Sequence, residues 1–169
     1  MNTANKGQKD DTSIVEESMQ LVGFAIGREL FGVDILRVRE IIRDATITSI
    51  PNAPDFVEGV INLRGNIIPV IDLRKRLNLL QGEASEEKIW ILILEIEGRV
   101  TGFRVDSVTK VLKILVRSIE PPPEIVTASL ESQYIEGVCD IDERLLVLLN
   151  FNRILHIDEI KRLKVMGGG

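Results

Sequence analysis

The chain has 169 residues, 44% of them hydrophobic and 28% charged, which is ordinary globular composition for one domain or two small ones. A net charge of -5 argues against nucleic acid as a partner, since phosphate binding needs a basic face. One cysteine, Cys139, permits no internal disulfide and fits a reducing cytoplasm, and no apolar run nears the ~18 residues that span a bilayer, so direct membrane insertion is not expected.

Residues 1–18 have little to bury and no signal-peptide character, and read as a disordered tail. Leu21–Ile26 and Leu30–Ile35 read as strands joined at Gly27-Arg28-Glu29, followed by Leu36–Ile42, whose mixed periods do not decide between helix and strand. Pro51 and Pro54 bracket a loop, after which Asp55 is placed to cap a helical turn through Glu58. Val60–Leu63 and Ile67–Leu73 are Ile- and Val-rich strands hinged on Arg64-Gly65-Asn66, with Gly and Asn suited to the positive φ of a tight hairpin. Pro69 within the second of them points to an edge or a bulge. Residues 81–88 are a polar connector. Ile89–Ile96, Val100–Val105 and Val108–Leu115 read as strands, Pro121–Pro123 as extended, and Ser132–Gly137 as a short helical turn. Val138–Ile141 and Leu145–Phe151 make a further hairpin. The end, 152–165, has a helical apolar spacing, and 166–169 is a frayed terminus.

The two halves share one plan. Gly32-Val33-Asp34-Ile35 lies over Gly102-Phe103-Arg104-Val105 at an offset of 70, and Glu58-Gly59-Val60 over Glu136-Gly137-Val138 at an offset of 78. Apolar positions then keep step through Leu77 and Leu155, so the second half gains 78 − 70 = 8 residues between Leu112 and Tyr134. The division predicted is a first half over 19–82 and a second over 88–151, each a small β unit that curls into a barrel, with a groove at their junction. Asn62, Arg64 and Gly65 align with Asp140, Asp142 and Glu143. The scaffold is repeated and the turn chemistry is not, which singles out Arg64 as a residue that acts on a partner.

Catalytic groups are sparse. His156 is the only histidine, no Gly-x-Ser-x-Gly or phosphate loop occurs, and Asp140-x-Asp142-Glu143 lacks the length, central Gly and distal Glu of a calcium loop. No enzyme activity, cofactor or metal is expected.

The stretch Glu58-Gly59-Val60-Ile61-Asn62-Leu63-Arg64-Gly65-x-Ile67-x-Pro69-Val70-Ile71-Asp72-Leu73-Arg74 closely resembles the signature of the CheW family of bacterial chemotaxis coupling proteins. Phe31-Gly32-Val33-Asp34-Ile35 and Gly102-Phe103-x-Val105-Asp106 are similar to two other family segments, and the likeness runs from about Met19 to Leu163. The resemblance implies a mainly β fold of two five-stranded barrels related by a pseudo-twofold, with short connecting helices and a C-terminal helix. It implies a monomeric, non-enzymatic adaptor, cytoplasmic and recruited to membrane receptor arrays, that couples the chemoreceptor cytoplasmic tip to the regulatory domain of the histidine kinase CheA. The receptor contacts it implies are Val38, Glu40, Gly59, Asn62, Arg64 and Val111, with the kinase contacts unassigned. A paralogue serving a non-flagellar pathway and a small-ligand sensory module are the alternatives.

Overall fold

The computed structural model describes residues 16–79 and 89–155. The expectations for 1–15, for the 81–88 connector, for His156 and for the helix beyond residue 155 lie outside the described residues. Ten strands follow in order: β1 Ser18–Ile26, β2 Glu29–Asp34, β3 Val38–Arg43, β4 Val57–Leu63, β5 Asn66–Asp72, β6 Trp90–Ile96, β7 Arg99–Val105, β8 Ser107–Leu115, β9 Ile135–Ile141 and β10 Arg144–Leu149. Three single-turn helices are interspersed, α1 Leu73–Arg76, α2 Glu124–Thr127 and α3 Phe151–Ile154. Asp72 and Asn150 cap α1 and α3 by accepting hydrogen bonds from backbone amides of the first turn.

The undecided stretch 36–42 resolves into both readings. Ile35–Arg37 is a 3-10 turn capped by Asp34, and Val38–Arg43 is a strand whose burial alternates residue by residue. No helix forms at Asp55; the chain turns there and β4 begins at Val57. Ser132–Tyr134 is a 3-10 turn and strand follows at once.

Two five-stranded sheets result, ordered β8-β1-β2-β10-β9 and β3-β6-β7-β5-β4. The boundary between them is not the predicted one between 19–82 and 88–151. The hairpin β1–β2 completes its sheet with β8, β9 and β10 of the other half, and β3, β4 and β5 join the hairpin β6–β7. The chain changes sheet at the equivalent points in each half, between Asp34 and Val38 and between Val105 and Ser107. Alternating burial decides which face of a strand turns inward, but not which strand lies beside it.

The duplication itself is reproduced in detail. Leu148 pairs with Gly32 in the parallel contact of β10 with β2, and Val70 with Gly102 in that of β5 with β7, the same positions displaced by 78 and 70. The amide of Asp72 donates to the Phe56 carbonyl and that of Asn150 to the Tyr134 carbonyl, both at 2.8 Å. Single bridges join Thr48 to Val60 and Glu120 to Val138. Since 120 − 48 = 72, two of the eight extra residues precede Glu120 and six follow it, in the segment that holds the prolines and α2. Pro69 sits on an inner strand, but β5 meets β7 only from Val70 onward, so no ladder bond to β7 is forfeited.

Each sheet curls over a small aliphatic cluster. Leu21, Leu30, Ile114, Cys139, Leu146 and Leu148 fill one, and Ile61, Ile68, Val70, Ile91 and Ile93 the other. The largest cluster lies between the sheets, where a groove was predicted. Phe24, Phe31, Phe103 and Phe151 pack there with ring centroids 5.0–6.5 Å apart, together with Leu73, Leu92, Leu94 and Leu155. Four of the five phenylalanines converge on this layer, so the junction is filled core.

Arg76 marks the pseudo-twofold. Its guanidinium lies 5.1 Å from the ring centres of Phe56 and of Tyr134, which are equivalent residues, and its Nε donates at 2.9 Å to the carbonyl of Ile154, its own equivalent.

Candidate functional site

The β4–β5 hairpin turns on Arg64 and Gly65, with φ of 54° and 86°. Two consecutive positive φ values give the turn whose twist matches a hairpin. Asn66, expected to supply one of them, is the first residue of β5, and Arg64 takes the left-handed position instead. Asn62 supports the turn: its Oδ1 accepts from the Gly65 amide at 2.9 Å.

From this tip the Arg64 side chain reaches β3, at the opposite edge of the sheet. Its Nη1 donates to Glu40 Oε2 at 2.9 Å and its Nη2 to Glu40 Oε1 at 2.7 Å, a two-pronged contact matched to the planar shapes of both groups. Those hydrogen bonds hold the Glu40 carboxyl below its ordinary range and raise the Arg64 guanidinium above its own. Arg64 remains 72% exposed and Glu40 32%, so water and a partner both reach the pair. Beside it Arg39 donates through Nη2 to Glu95 Oε2 at 2.6 Å.

These charges rim an open groove of about 570 Å³ whose floor is aliphatic, built from Ile67, Ile68, Ile93 and Val100. Ile67 is 55% exposed and extends the aliphatic surface of the groove to solvent. Of the six residues implied by resemblance, Glu40 and Arg64 come together here and Asn62 holds the turn. Val38 is half-buried at the start of β3 and packs against the central cluster. Gly59 is buried in β4. Val111 stands exposed on β8, in the other sheet, paired with Val22 and outside the groove. Arg39, Ile67 and Val100 were not singled out from the sequence. The repeat offered one signal, since it sets Leu145 over Ile67 and so places an aliphatic residue just past the turn in both halves.

The groove can bind but has nothing to react with. Its charged side chains, Arg39, Glu40 and Arg64, all stand in ion pairs, and among the described residues no Ser, Cys or His lines it. Cys139 is buried in β9, where desolvation, then the charge of Asp140, pushes its thiol up and keeps it protonated. No helix among the described residues is long and apolar enough to cross a membrane.

Residues 20–159 match the family model described as a CheW-like domain. Among similar proteins, a chemotaxis protein CheW of Klebsiella aerogenes is 39% identical over 137 residues, 81% of each chain. A chemotaxis protein CheW of Treponema pallidum is 33% identical over 154 residues, 89% of this chain and 90% of that one. Among solved structures, the scaffolding protein TtCheW from Thermoanaerobacter tengcongensis aligns with a TM-score of 0.75 at 38% identity, covering 85% of this chain and 96% of that chain.

Proposed function

The chain belongs to the CheW family, and from that premise we propose how this non-enzymatic chemotaxis scaffold meets its partners. It joins the cytoplasmic tip of a chemoreceptor to the regulatory domain of the kinase CheA, and is thereby held at receptor arrays. The observation that carries the receptor site is the exposed Arg64–Glu40 pair set beside the aliphatic groove of Ile67, Ile68, Ile93 and Val100. An apolar stripe of a helical hairpin would lie in that groove, the helix-in-groove mode, while the charges fix its register. The packed layer between the sheets offers no such place, so the docking surface moves from the junction to the mouth of one sheet. Val38 and Val111 are carried as outlying receptor contacts, and the kinase surface is left unassigned.

The test is titration of the full chain against a soluble receptor-tip fragment and, separately, against the kinase regulatory domain. Binding near micromolar, about 8 kcal/mol, is expected for each, because the assembly gains strength from many linked contacts. Tight binding of a metabolite with no binding of either protein would establish the sensory-module alternative in its place.

A further inference from the structure

Gly59 is implied to be a partner contact, yet it is buried, and a side chain there would meet the protein itself. Its φ is +155°, and a Cβ added to it would fall 2.7 Å from the Thr48 carbonyl carbon and 2.9 Å from Ile47 Cγ2, and closer still to the Thr48 oxygen. The segment after β3 crosses the edge of β4 at this point. Thr48 and Val60 exchange both backbone hydrogen bonds at 2.8 Å, next to a bulge that leaves Glu58 unpaired between Val57 and Gly59. Since β3 and β4 are the two edges of their sheet, they are tied across the gap twice. One tie is this crossing and the other is Glu40 to Arg64. Four residues of β4 separate them, about 13 Å of strand, so a shift at the first widens the span of the second.

We propose that Gly59 is a positioning residue that touches no partner and acts by letting the 44–48 segment lie against β4, which brings Glu40 within reach of Arg64. The inference rests on the proposed receptor site for its consequence in binding, but not for its consequence in the free chain. A Cβ at 59 meets the Thr48 backbone first and the Ile47 side chain second, and backbone yields as a segment. The other half supplies a control. Gly137 lies under the same crossing, where a Cβ would overlap Ile119 Cγ2 and fall 3.1 Å from the Glu120 oxygen, but there the equivalents of Glu40 and Arg64, Lys110 and Asp142, form no ion pair.

In the free chain, Gly59→Ala should speed hydrogen exchange of the Thr48 and Val60 amides by about tenfold or more and move the Arg64 guanidinium NMR signals toward those of a solvated arginine. The Glu120 and Val138 amides should not change. Against the receptor-tip fragment, Gly59→Ala should weaken binding by about tenfold, yet add less than about twofold when made in a Glu40→Ala background. Thr48→Pro, which removes the amide that donates to the Val60 carbonyl and leaves Gly59 untouched, should speed exchange of the Val60 amide, move the Arg64 signals and weaken binding in the same way, and Gly137→Ala should do none of these. The proposal is overturned if Gly59→Ala costs its full factor in the Glu40→Ala background, which would make Gly59 a contact, or if the exchange rates and Arg64 signals stay put. Should Gly59→Ala fail to fold, the Thr48→Pro pair of measurements decides. Absence of wild-type binding to the tip would overturn the receptor assignment alone, and the free-chain measurements would then judge Gly59 unaided.

Discussion

The mouths of the two sheets share a skeleton and differ in charge. In one, Arg64 and Gly65 form the turn; in the other, Asp142 and Glu143 do, again with two positive φ values, 48° and 66°. Ile67 and Leu145 stand exposed just beyond each turn, and Ile41 and Val111 on the edge strands. Yet Glu40 is answered by Lys110, Arg64 by Asp142 and Arg99 by Glu29, three inversions of sign at equivalent positions. Lys110 and Asp142 form no ion pair, whereas Glu40 and Arg64 do. Backbone geometry and aliphatic positions are what the fold needs twice. Exposed charge is under no such demand and is where two copies of one scaffold can part company.

The most severe way to break the comparison is to remove what both mouths rest on. Phe103→Ala, in the aromatic layer between the sheets, should cost about 3–5 kcal/mol and melt both sheets in one transition, followed by Trp90 fluorescence and by circular dichroism. Next comes Arg64→Glu, which sets a second carboxylate against Glu40. Receptor-tip binding should fall by more than about tenfold with little change in thermal midpoint, and Asp142→Lys in the other mouth should leave binding alone. The double exchange Glu40→Arg with Arg64→Glu sharpens the point. It restores the ion pair in reverse, so binding that stays lost shows the sign at position 64 to be read by the partner, and binding that returns shows that only the pair matters.

A smaller effect concerns pH. Glu40 has a depressed pKa in the folded chain, so the pair contributes above the unfolded carboxylate value and is lost as pH falls through the lower folded one. It should survive the ordinary glutamate range near about 4.3 and open below it, and carboxyl NMR should show Glu40 titrating higher in Arg64→Ala. The smallest change expected is from Lys110→Glu with Asp142→Arg, which copies the pair into the other mouth. Stability should move by no more than about 0.5 kcal/mol, and new guanidinium–carboxylate contacts should appear by NMR.

The hairpins, their turns and the repeat were legible because each is local or depends on order along the chain. Alternating Ile and Val, Gly65, and Asp72 ahead of α1 carry their geometry within a few residues. The exchange of strands was not legible, since β1 looks the same whether β2 alone or β8 as well lies beside it. The filled junction was missed because only five phenylalanines in 169 residues do not announce that four of them meet. Arg64 was singled out by the repeat and Glu40 by resemblance, but 24 residues of chain separate them, and their contact depends on how far the sheet curls. Gly59 was noted as an implied contact, and the close passage of the Thr48 backbone beside it was not legible, because it depends on a segment 11 residues earlier in the chain.

The crossing of strands between the halves has a consequence for ancestry. A lone copy of the repeat holds a hairpin and three further strands that end up in different sheets, so it has no means of completing either one. Two separate copies would, by trading β3–β5 for their counterparts, which makes a domain-swapped homodimer the simplest self-sufficient form of a single unit. Joining the genes end to end would then have turned a concentration-dependent partnership into an intramolecular one, and only after that could one mouth change its charges without changing the other.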